Sequence, residues 1–556
     1  MITTLNSQNR NFCKVVDFFI VISSFVFYLA WSLRVPVELC PDEYGGDGTG
    51  RFALPLWILK NNKLPMGDEP ELISPVWGFS YAFNPYLPSL IAVLFMKFIG
   101  IFTTDLQVLL HAARLVSVLS GSGTVLICLL IGRELFKRGT IIFFAILVGF
   151  LPQFAFLSSY LNNDCFSVFC SALILLAWVK GLKTHWNIKS CVLLGVGISL
   201  ESLAYYFAYG WILCSIILAF VSVFFDATID KKLKFFLKRL ALVFGIFAVL
   251  AGWYFIRNAI IYDGDFFGRR ALTTCAELHA ADAYKPSLHH TYKLEGNSFI
   301  SILSDFCWHR LTLKSFICGL GYMNIFAKKY IYVIYVMFII LGIFLLVCKV
   351  PLVKTKKSVF PMPFYTSLIF CIIIPYFISM YYSWATDYQP QGRYVISSLI
   401  PIMLFVAFGY DFLVDKLFLK TKKNIMPVFI SVYIGLFLVV LFTVIIPKCF
   451  GETFISKLMP NVKVIEKDEK MDSLKIELSN VGKYESLRIA VWSAIDAQDD
   501  LYWFELQDVK DRKGSFYYDI PLDNYTTNGT YWIHVYGVKK GKQKFLASTD
   551  TEIQFD

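Results

Sequence analysis

Eleven apolar runs punctuate this chain, at roughly 15–33, 106–131, 140–157, 165–180, 190–207, 209–225, 240–256, 331–348, 362–380, 394–413 and 426–447. Each approaches or reaches the ~20 residues an α-helix needs to cross a bilayer. Between them stand six clusters of Lys and Arg: Arg10/Lys14, Arg133/Lys137/Arg138, Lys180/Lys183/Lys189, Lys231/Lys232/Lys234/Lys238/Arg239, Lys349/Lys354/Lys356/Lys357 and Lys416/Lys420/Lys422/Lys423. Positive charge stays on the cytoplasmic side, so each cluster marks an inner loop. With the amino terminus inside, odd-numbered helices run outward, every basic cluster falls in an inner loop, and the segment after about residue 450 lies outside. The expected class is a polytopic α-helical membrane protein of about 11 transmembrane helices. With 57% hydrophobic and 17% charged residues, the chain is far from a soluble one, which carries about 25% charge. Its net charge of +11 is concentrated in the inner loops, where it sets orientation and meets anionic lipid, so no nucleic-acid partner is expected. The first run lacks a small-residue cleavage site and reads as a retained signal anchor. The 13 Cys have neither disulfide nor zinc spacing.

Two outer loops, 34–105 and 257–330, are far longer than a helix connection needs, and loops beyond about 15 residues are usually functional or disordered. The first contains the apolar stretch Leu87 to Ile101, interrupted by Lys97, which suits a helix lying in the membrane interface. After Lys448 the apolar runs shorten to about six residues, alternate in polarity and are separated by turn signals such as Asn528-Gly529. Candidate strands at 461–466, 474–479, 487–493, 501–506, 515–521, 531–537, 543–548 and 551–555 make a small β-sandwich. The expected division is a transmembrane domain over 1–449 and an extracytoplasmic β-sandwich over 450–556. Asn524-Tyr-Thr526 and Asn528-Gly-Thr530 match glycosylation spacing but read as turn chemistry.

The chemistry-bearing residues collect in the outer segments. Cys40-Pro-Asp-Glu-Tyr-Gly-Gly-Asp-Gly48 is a compact acidic turn just above the first helix. A carboxylate there is partly desolvated, which raises its pKa toward that of a useful base. Asp42 or Glu43 can then take a proton from an acceptor hydroxyl; the competing role is an Asp, 42 or 47, capping the next helix. Tyr388-Gln-Pro-Gln-Gly-Arg-Tyr394 puts Arg393 at the outer mouth of the tenth helix, where a guanidinium can bind phosphate in a bidentate manner or serve as an ordinary helix-end anchor. Arg257, Arg269, Arg270, His309, Arg310 and Lys314 in the second loop are further candidate cations. Asn162, Asn163 and Asp164 can line a sugar or phosphate site or cap the fourth helix. Glu277, His279, Asp282, His289 and His290 are ligand-type residues without a metal spacing, and no metal site is expected. Glu201, near mid-depth of the fifth run, is costly there and favours a transporter if anything does.

Several short motifs together resemble a family. Pro41-Asp-Glu43, Asn84-Pro-Tyr-Leu-Pro88, Gly132-Arg-Glu-Leu-Phe136 and Ser159-Tyr-Leu-Asn-Asn-Asp164 resemble polyprenol-phosphate-dependent glycosyltransferases of the GT-C superfamily. Trp253-Tyr-Phe-Ile-Arg-Asn258 with Tyr262-Asp-Gly-Asp265, Lys314-Ser-Phe-Ile-Cys-Gly-Leu-Gly-Tyr322 and Gln391-Gly-Arg-Tyr394 are similar to a bacterial branch of it. The resemblance covers about 15–445. It implies transfer of a sugar from a polyprenyl-phosphate donor, with no cofactor, to an extracytoplasmic glycan or other surface acceptor. Asp42 would be the base, Glu43 its support or the acceptor's positioner, and Arg393 the holder of the donor phosphate. Many relatives carry Thr-Lys in the fifth helix where this chain reads Leu200-Glu201-Ser202, which shifts the load to Arg393 and the second loop. The tail, about 470–556, resembles the GBS Bsp-like repeat of Gram-positive cell-surface proteins. Its Trp492, Trp503 and Trp532 can stack on sugars, although at least half should be core. The rival reading is a transporter or flippase for a lipid-linked glycan, but the chain has no internal repeat. A third, an adhesion or sensor protein on an inert bundle, leaves the acidic first loop unexplained.

Overall fold

The computed structural model describes residues 2–44, 48–349, 361–421, 423–450, 461–467, 473–479, 481, 484–495, 500–507, 509, 515–539 and 541–555. The chain divides into two compact units, Met1–Phe450 and Gly451–Asp556.

In the first unit, eight helices among the described residues are long and apolar enough to cross a membrane: Val15–Ser32, Leu106–Leu135, Asn163–Lys183, Tyr206–Phe225, Lys329–Lys349, Met362–Ala385, Gly392–Thr421 and Met426–Cys449. A ninth is made if Lys232–Leu250 and Gly252–Ile261, bent by 57°, count as one span. The two remaining apolar runs form shorter helices. The run at 140–157 breaks into Arg138–Gly149 and Pro152–Leu157, because Pro152 has no N–H to continue the ladder and its ring clashes with the turn before it. The run at 190–207 yields only the 15 residues Ile188–Ser202. Burial sorts the spans: Leu106–Leu135 and Asn163–Lys183 are mostly enclosed, whereas Lys329–Lys349 is mostly uncovered. Phe18 at 61% exposure, Val249 at 78% and Ile260 at 76% belong to an apolar exterior that suits lipid better than water. Close approach needs glycine where Lys329–Lys349 crosses Gly392–Thr421: a Cβ on Gly409 would stand 1.8 Å from the Gly342 carbonyl oxygen.

The long first loop folds into helices Ala53–Asn61 and Leu87–Gly100. The second carries Arg269–His279, Phe299–Leu303 and Phe306–Cys318, followed by a minimal hairpin of β1 (Gly319–Leu320) and β2 (Ile325–Phe326).

The second unit is all β. Among the described residues seven strands, β3 (Asn461–Lys467), β4 (Ser473–Ser479), β5 (Ser486–Ser493), β6 (Tyr502–Leu506), β7 (Ser515–Pro521), β8 (Gly529–Lys539) and β9 (Lys542–Ile553), form antiparallel sheets ordered β3-β4-β7 and β6-β5-β8-β9. The candidate strands at 543–548 and 551–555 run together as β9. Leu474, Ile476 and Leu478 of one sheet share a core with Leu487, Ile489, Val491, Ile533 and Val535 of the other. The tryptophans lie elsewhere: Trp492 and Trp532 are half-buried and Trp503 is 49% exposed. Side chains alternate along a strand, so once Val491 and Ile533 point inward, their neighbours Trp492 and Trp532 must point out. The expectation that at least half of these rings are core is therefore overturned by the register.

Candidate active site

The acidic turn is held by a short backbone ladder. Arg51 N–H donates to the Asp42 carbonyl at 2.7 Å, Phe52 N–H to Glu43 at 2.8 Å and Gly50 N–H to Tyr44 at 2.7 Å. The chain therefore returns Arg51 beside Asp42. Asp42 itself has φ +60°, the left-handed region that Asp and Asn tolerate better than other side chains.

Neighbouring carboxylates then part company. Glu43 is fully buried and clasped by Arg114, whose Nε donates at 2.9 and 3.1 Å and Nη2 at 2.5 Å; Leu161 N–H adds a bond of 2.7 Å. The Arg114 Nη1 donates to the carbonyls of Ser32 at 2.7 Å and Val35 at 3.0 Å. This pair ties the end of the first helix, the acidic turn and Leu106–Leu135 together, and it leaves Glu43 no free oxygen to offer a substrate. Asp42, with 29% of its side chain exposed, meets Arg393, 7% exposed, through Oδ2 and Nη2 at 2.7 Å.

Arg393 reaches this spot because Gly392 lies flat against the helix Phe306–Cys318. A Cβ there would come within 2.0 Å of Phe316 N, and Gly392 N–H donates to Ser315 Oγ at 2.7 Å. The 3₁₀ segment Gly392–Ser398 then presents Arg393 toward the acidic turn, with Tyr394 OH 3.2 Å from its Nη2. Beside the pair is a narrow hollow of about 10 Å³, room for roughly one water, lined by Pro41, Phe156, Tyr160, Gly321, Gln391 and Arg393 among others.

Electrostatics in this pocket run opposite to the simple expectation of a raised base. Burial pushes the Asp42 carboxyl up, but the Arg393 and Arg51 guanidiniums more than offset it and hold the group below the usual carboxylate range. The desolvation argument omitted these two cations. Burial also works against the charge on Arg51, and Tyr81, Asp42 and Asp164 around it outweigh that effect. Its guanidinium sits 4.5 Å from the centre of the Tyr81 ring.

Asp164 is buried near both arginines, with Oδ1 lacking a hydrogen-bond partner. The cap of its helix is Asn162, as the capping alternative expects; it accepts from Cys165 N–H at 2.8 Å. Asn163 braces the loops, donating to Pro85 O at 3.0 Å and Ala204 O at 2.8 Å. The second-loop cations are engaged elsewhere. Arg257 donates to Pro65 O at 2.5 Å, Arg270 to Asp263 O at 2.8 Å, Arg269 lies 5.7 Å from the Tyr206 ring and Lys314 lies 3.8 Å from the Phe326 ring. Glu201 accepts from Ser167 at 2.5 Å and Ser171 at 3.0 Å and is fully buried. The acidic and histidine residues of the second loop are spread over separate contacts: Glu277 accepts from Ser287 N–H at 3.0 Å, Asp282 meets Lys285 at 2.6 Å and His289 stands 3.7 Å from Asp387.

Arg51 and Arg114 were absent from the sequence-based candidates. Arg114 announces itself as one cation inside an apolar run, which needs a partner. Arg51 follows a Gly-Gly-Asp-Gly-Thr-Gly stretch, which in sequence is a turn signal.

The fold and this pocket together define a polytopic α-helical membrane protein with a buried carboxylate–guanidinium centre and an all-β C-terminal unit. Residues 463–551 match the family model of the GBS Bsp-like repeat. No curated protein matches the chain. Among solved structures it is similar to the apo oligosaccharyltransferase of Archaeoglobus fulgidus, at 16% identity and TM-score 0.44 over 76% of this chain and 54% of that one. The same enzyme in complex with Zn and sulfate gives 15% identity and TM-score 0.45 over 76% and 52%. ArnT from Cupriavidus metallidurans in the apo state gives 11% and 0.33 over 72% and 77%. The chain spans about half the length of the oligosaccharyltransferase chains it matches.

Proposed function

We propose that this protein is a membrane glycosyltransferase that moves a sugar from a polyprenyl-phosphate donor to an extracytoplasmic acceptor: a cell-wall or surface polymer, a lipid or a protein. The observation that carries the reading is the meeting of Asp42 and Arg393 at 2.7 Å beside a hollow. These residues are 351 positions apart, and together they supply a base and a cation in one pocket. A lipid-linked sugar holds its head at the interface, so an enzyme using it needs both groups at that depth.

Asp42 takes the proton of the acceptor hydroxyl as its oxygen attacks the anomeric carbon from the face opposite the phosphate. The C–O bond to polyprenyl phosphate breaks, and Arg393 stabilises the leaving charge. Glu43 supports this step by fixing the turn through Arg114. The clusters of Lys and Arg favour an amino terminus in the cytoplasm, with the pocket and the C-terminal unit on the other side.

The test is sugar transfer from a purified polyprenyl-phosphate sugar by protein in vesicles. Asp42→Asn should abolish product while leaving expression and vesicle insertion intact. Near-native turnover by that variant removes Asp42 from the role.

A further inference from the structure

Four buried polar atoms around the Asp42–Arg393 pair have no protein hydrogen-bond partner: Arg51 Nε, Arg393 Nε, Tyr160 OH and Asp164 Oδ1. Buried polar groups are nearly always satisfied, so each such atom in a native fold calls for an explanation. Here they are clustered. Two are donors on separate guanidiniums, and a third is a hydroxyl lining the hollow. Among the described residues Arg51 has no ion pair of its own; it stacks on Tyr81 and neighbours Asp42 and Asp164.

We propose that Arg51 is a second phosphate ligand, and that Arg51 and Arg393 together take a lipid-linked phosphate whose free oxygens replace the Asp42 carboxylate on Arg393. This rests on the glycosyl-transfer reading for the identity of the lipid, and on the cluster itself for the phosphate. The chemistry fits: a lipid-linked phosphate keeps at least two non-bridging acceptor oxygens, and a guanidinium presents parallel N–H donors that match them. The arrangement also links two events. While Arg393 holds Asp42, that carboxylate is engaged; when phosphate takes the guanidinium, the carboxylate is released beside the donor sugar. Donor binding would therefore precede activation of the acceptor.

The test uses the full chain in nanodiscs and measures binding of two probes, undecaprenyl phosphate and inorganic phosphate, by calorimetry without any sugar transfer. Arg51→Gln should weaken undecaprenyl phosphate roughly ten- to hundredfold, the worth of a charge-assisted contact, and Arg51→Lys should recover part of the loss. Asp42→Asn should bind the same probe more tightly than the native chain, because the competitor for Arg393 has lost its charge. A merely structural Arg51 predicts that Arg51→Gln lowers the melting midpoint without a selective loss of phosphate binding; the Asp42→Asn tightening tests the competition for Arg393. Inorganic phosphate weakened in parallel by Arg51→Gln identifies the headgroup as the source of affinity. Inorganic phosphate that does not bind, beside a lipid phosphate that depends on Arg51, shows that the lipid tail must place it, and the inference stands. Unchanged binding of undecaprenyl phosphate in Arg51→Gln, or weaker binding in Asp42→Asn, overturns it. Arg51-dependent binding in a native protein that transfers no sugar would instead overturn the functional reading and leave this one in place. Should Arg51→Gln fail to fold, Arg51→Lys decides: loss of the planar fork should still weaken undecaprenyl phosphate at a native melting midpoint, and unchanged binding overturns the inference.

Discussion

Removing the charge of Glu43 should damage the fold before it damages the chemistry. Glu43 and Arg114 are 0% and 1% exposed. The carboxylate receives three N–H contacts from Arg114 and one from Leu161. Glu43→Gln keeps the volume but turns an amide toward a guanidinium that bonds no other carboxylate among the described residues. Breaking one side of a buried pair typically costs about 3–5 kcal/mol, since the remaining charge stays desolvated. Arg114 keeps its bonds to the Ser32 and Val35 carbonyls, which argues for the lower end, about 3 kcal/mol. For a unit this large that is a drop on the order of 5 °C in the melting midpoint, measurable by scanning fluorimetry in detergent. The double variant Glu43→Leu/Arg114→Met, with no stranded charge, should recover most of the loss, because apolar replacement of a buried pair is often neutral. The reasoning fails if Glu43→Gln melts with the native protein while losing transfer, for then Glu43 acts on the substrate.

Other consequences are as direct. Asp42 is held low by Arg393 and Arg51, so the stability it contributes is present above the unfolded carboxyl pKa and is lost as pH falls through the lower folded value. The acidic limb of the kcat/KM profile should accordingly lie below the ordinary carboxylate range and move to higher pH in Arg51→Gln; a limb that stays in place disconnects Arg51 from the base. Gly392→Ala puts a Cβ 2.0 Å from Phe316 N and should cost about 1–3 kcal/mol of stability by overpacking, together with most of the transfer, since Arg393 must shift with the segment. Melting and product formation measured on one preparation check both. An alkaline phosphatase fused after Phe450 should be active in a bacterial host, and one fused after Leu135 inactive; the reverse pattern inverts the proposed orientation.

Much of the helical unit was legible in hydropathy alone, because a span must satisfy its backbone internally and so announces itself as a continuous apolar run. Where the runs misled, at 140–157 and 190–207, local chemistry decided: Pro152 ended one helix, and the other stopped at Ser202 after 15 residues. The site was legible only in part. Asp42 and Arg393 were found as separate residues in suggestive turns, but their contact spans 351 positions, and no periodicity links residues that far apart. The low pKa of Asp42 was missed because desolvation can be judged from one segment, while the cations that outweigh it come from two others. In the β unit the strands were readable, yet the placing of Trp492, Trp503 and Trp532 was not. Alternation fixes which residues share a face but not which face is inward until the opposing sheet is known.

The divergence of two adjacent carboxylates comes from one backbone angle. In extended chain, side chains 42 and 43 would alternate to opposite faces in any sequence; here φ of +60° at Asp42 sharpens the turn so that Glu43 enters the protein and Asp42 stays at the pocket. Such an angle costs a residue with a Cβ about 1–2 kcal/mol unless its side chain is Asp or Asn. That makes Asp42→Asn the clean probe, since it keeps the turn and removes only the charge. Asp42→Ala should lose transfer equally and melt lower than Asp42→Asn by about 1 kcal/mol, on the order of a degree or two. If the two variants melt alike, the left-handed turn stores no strain. The separation of the two carboxylates must then be imposed by Arg114 and Arg393 pulling from either side.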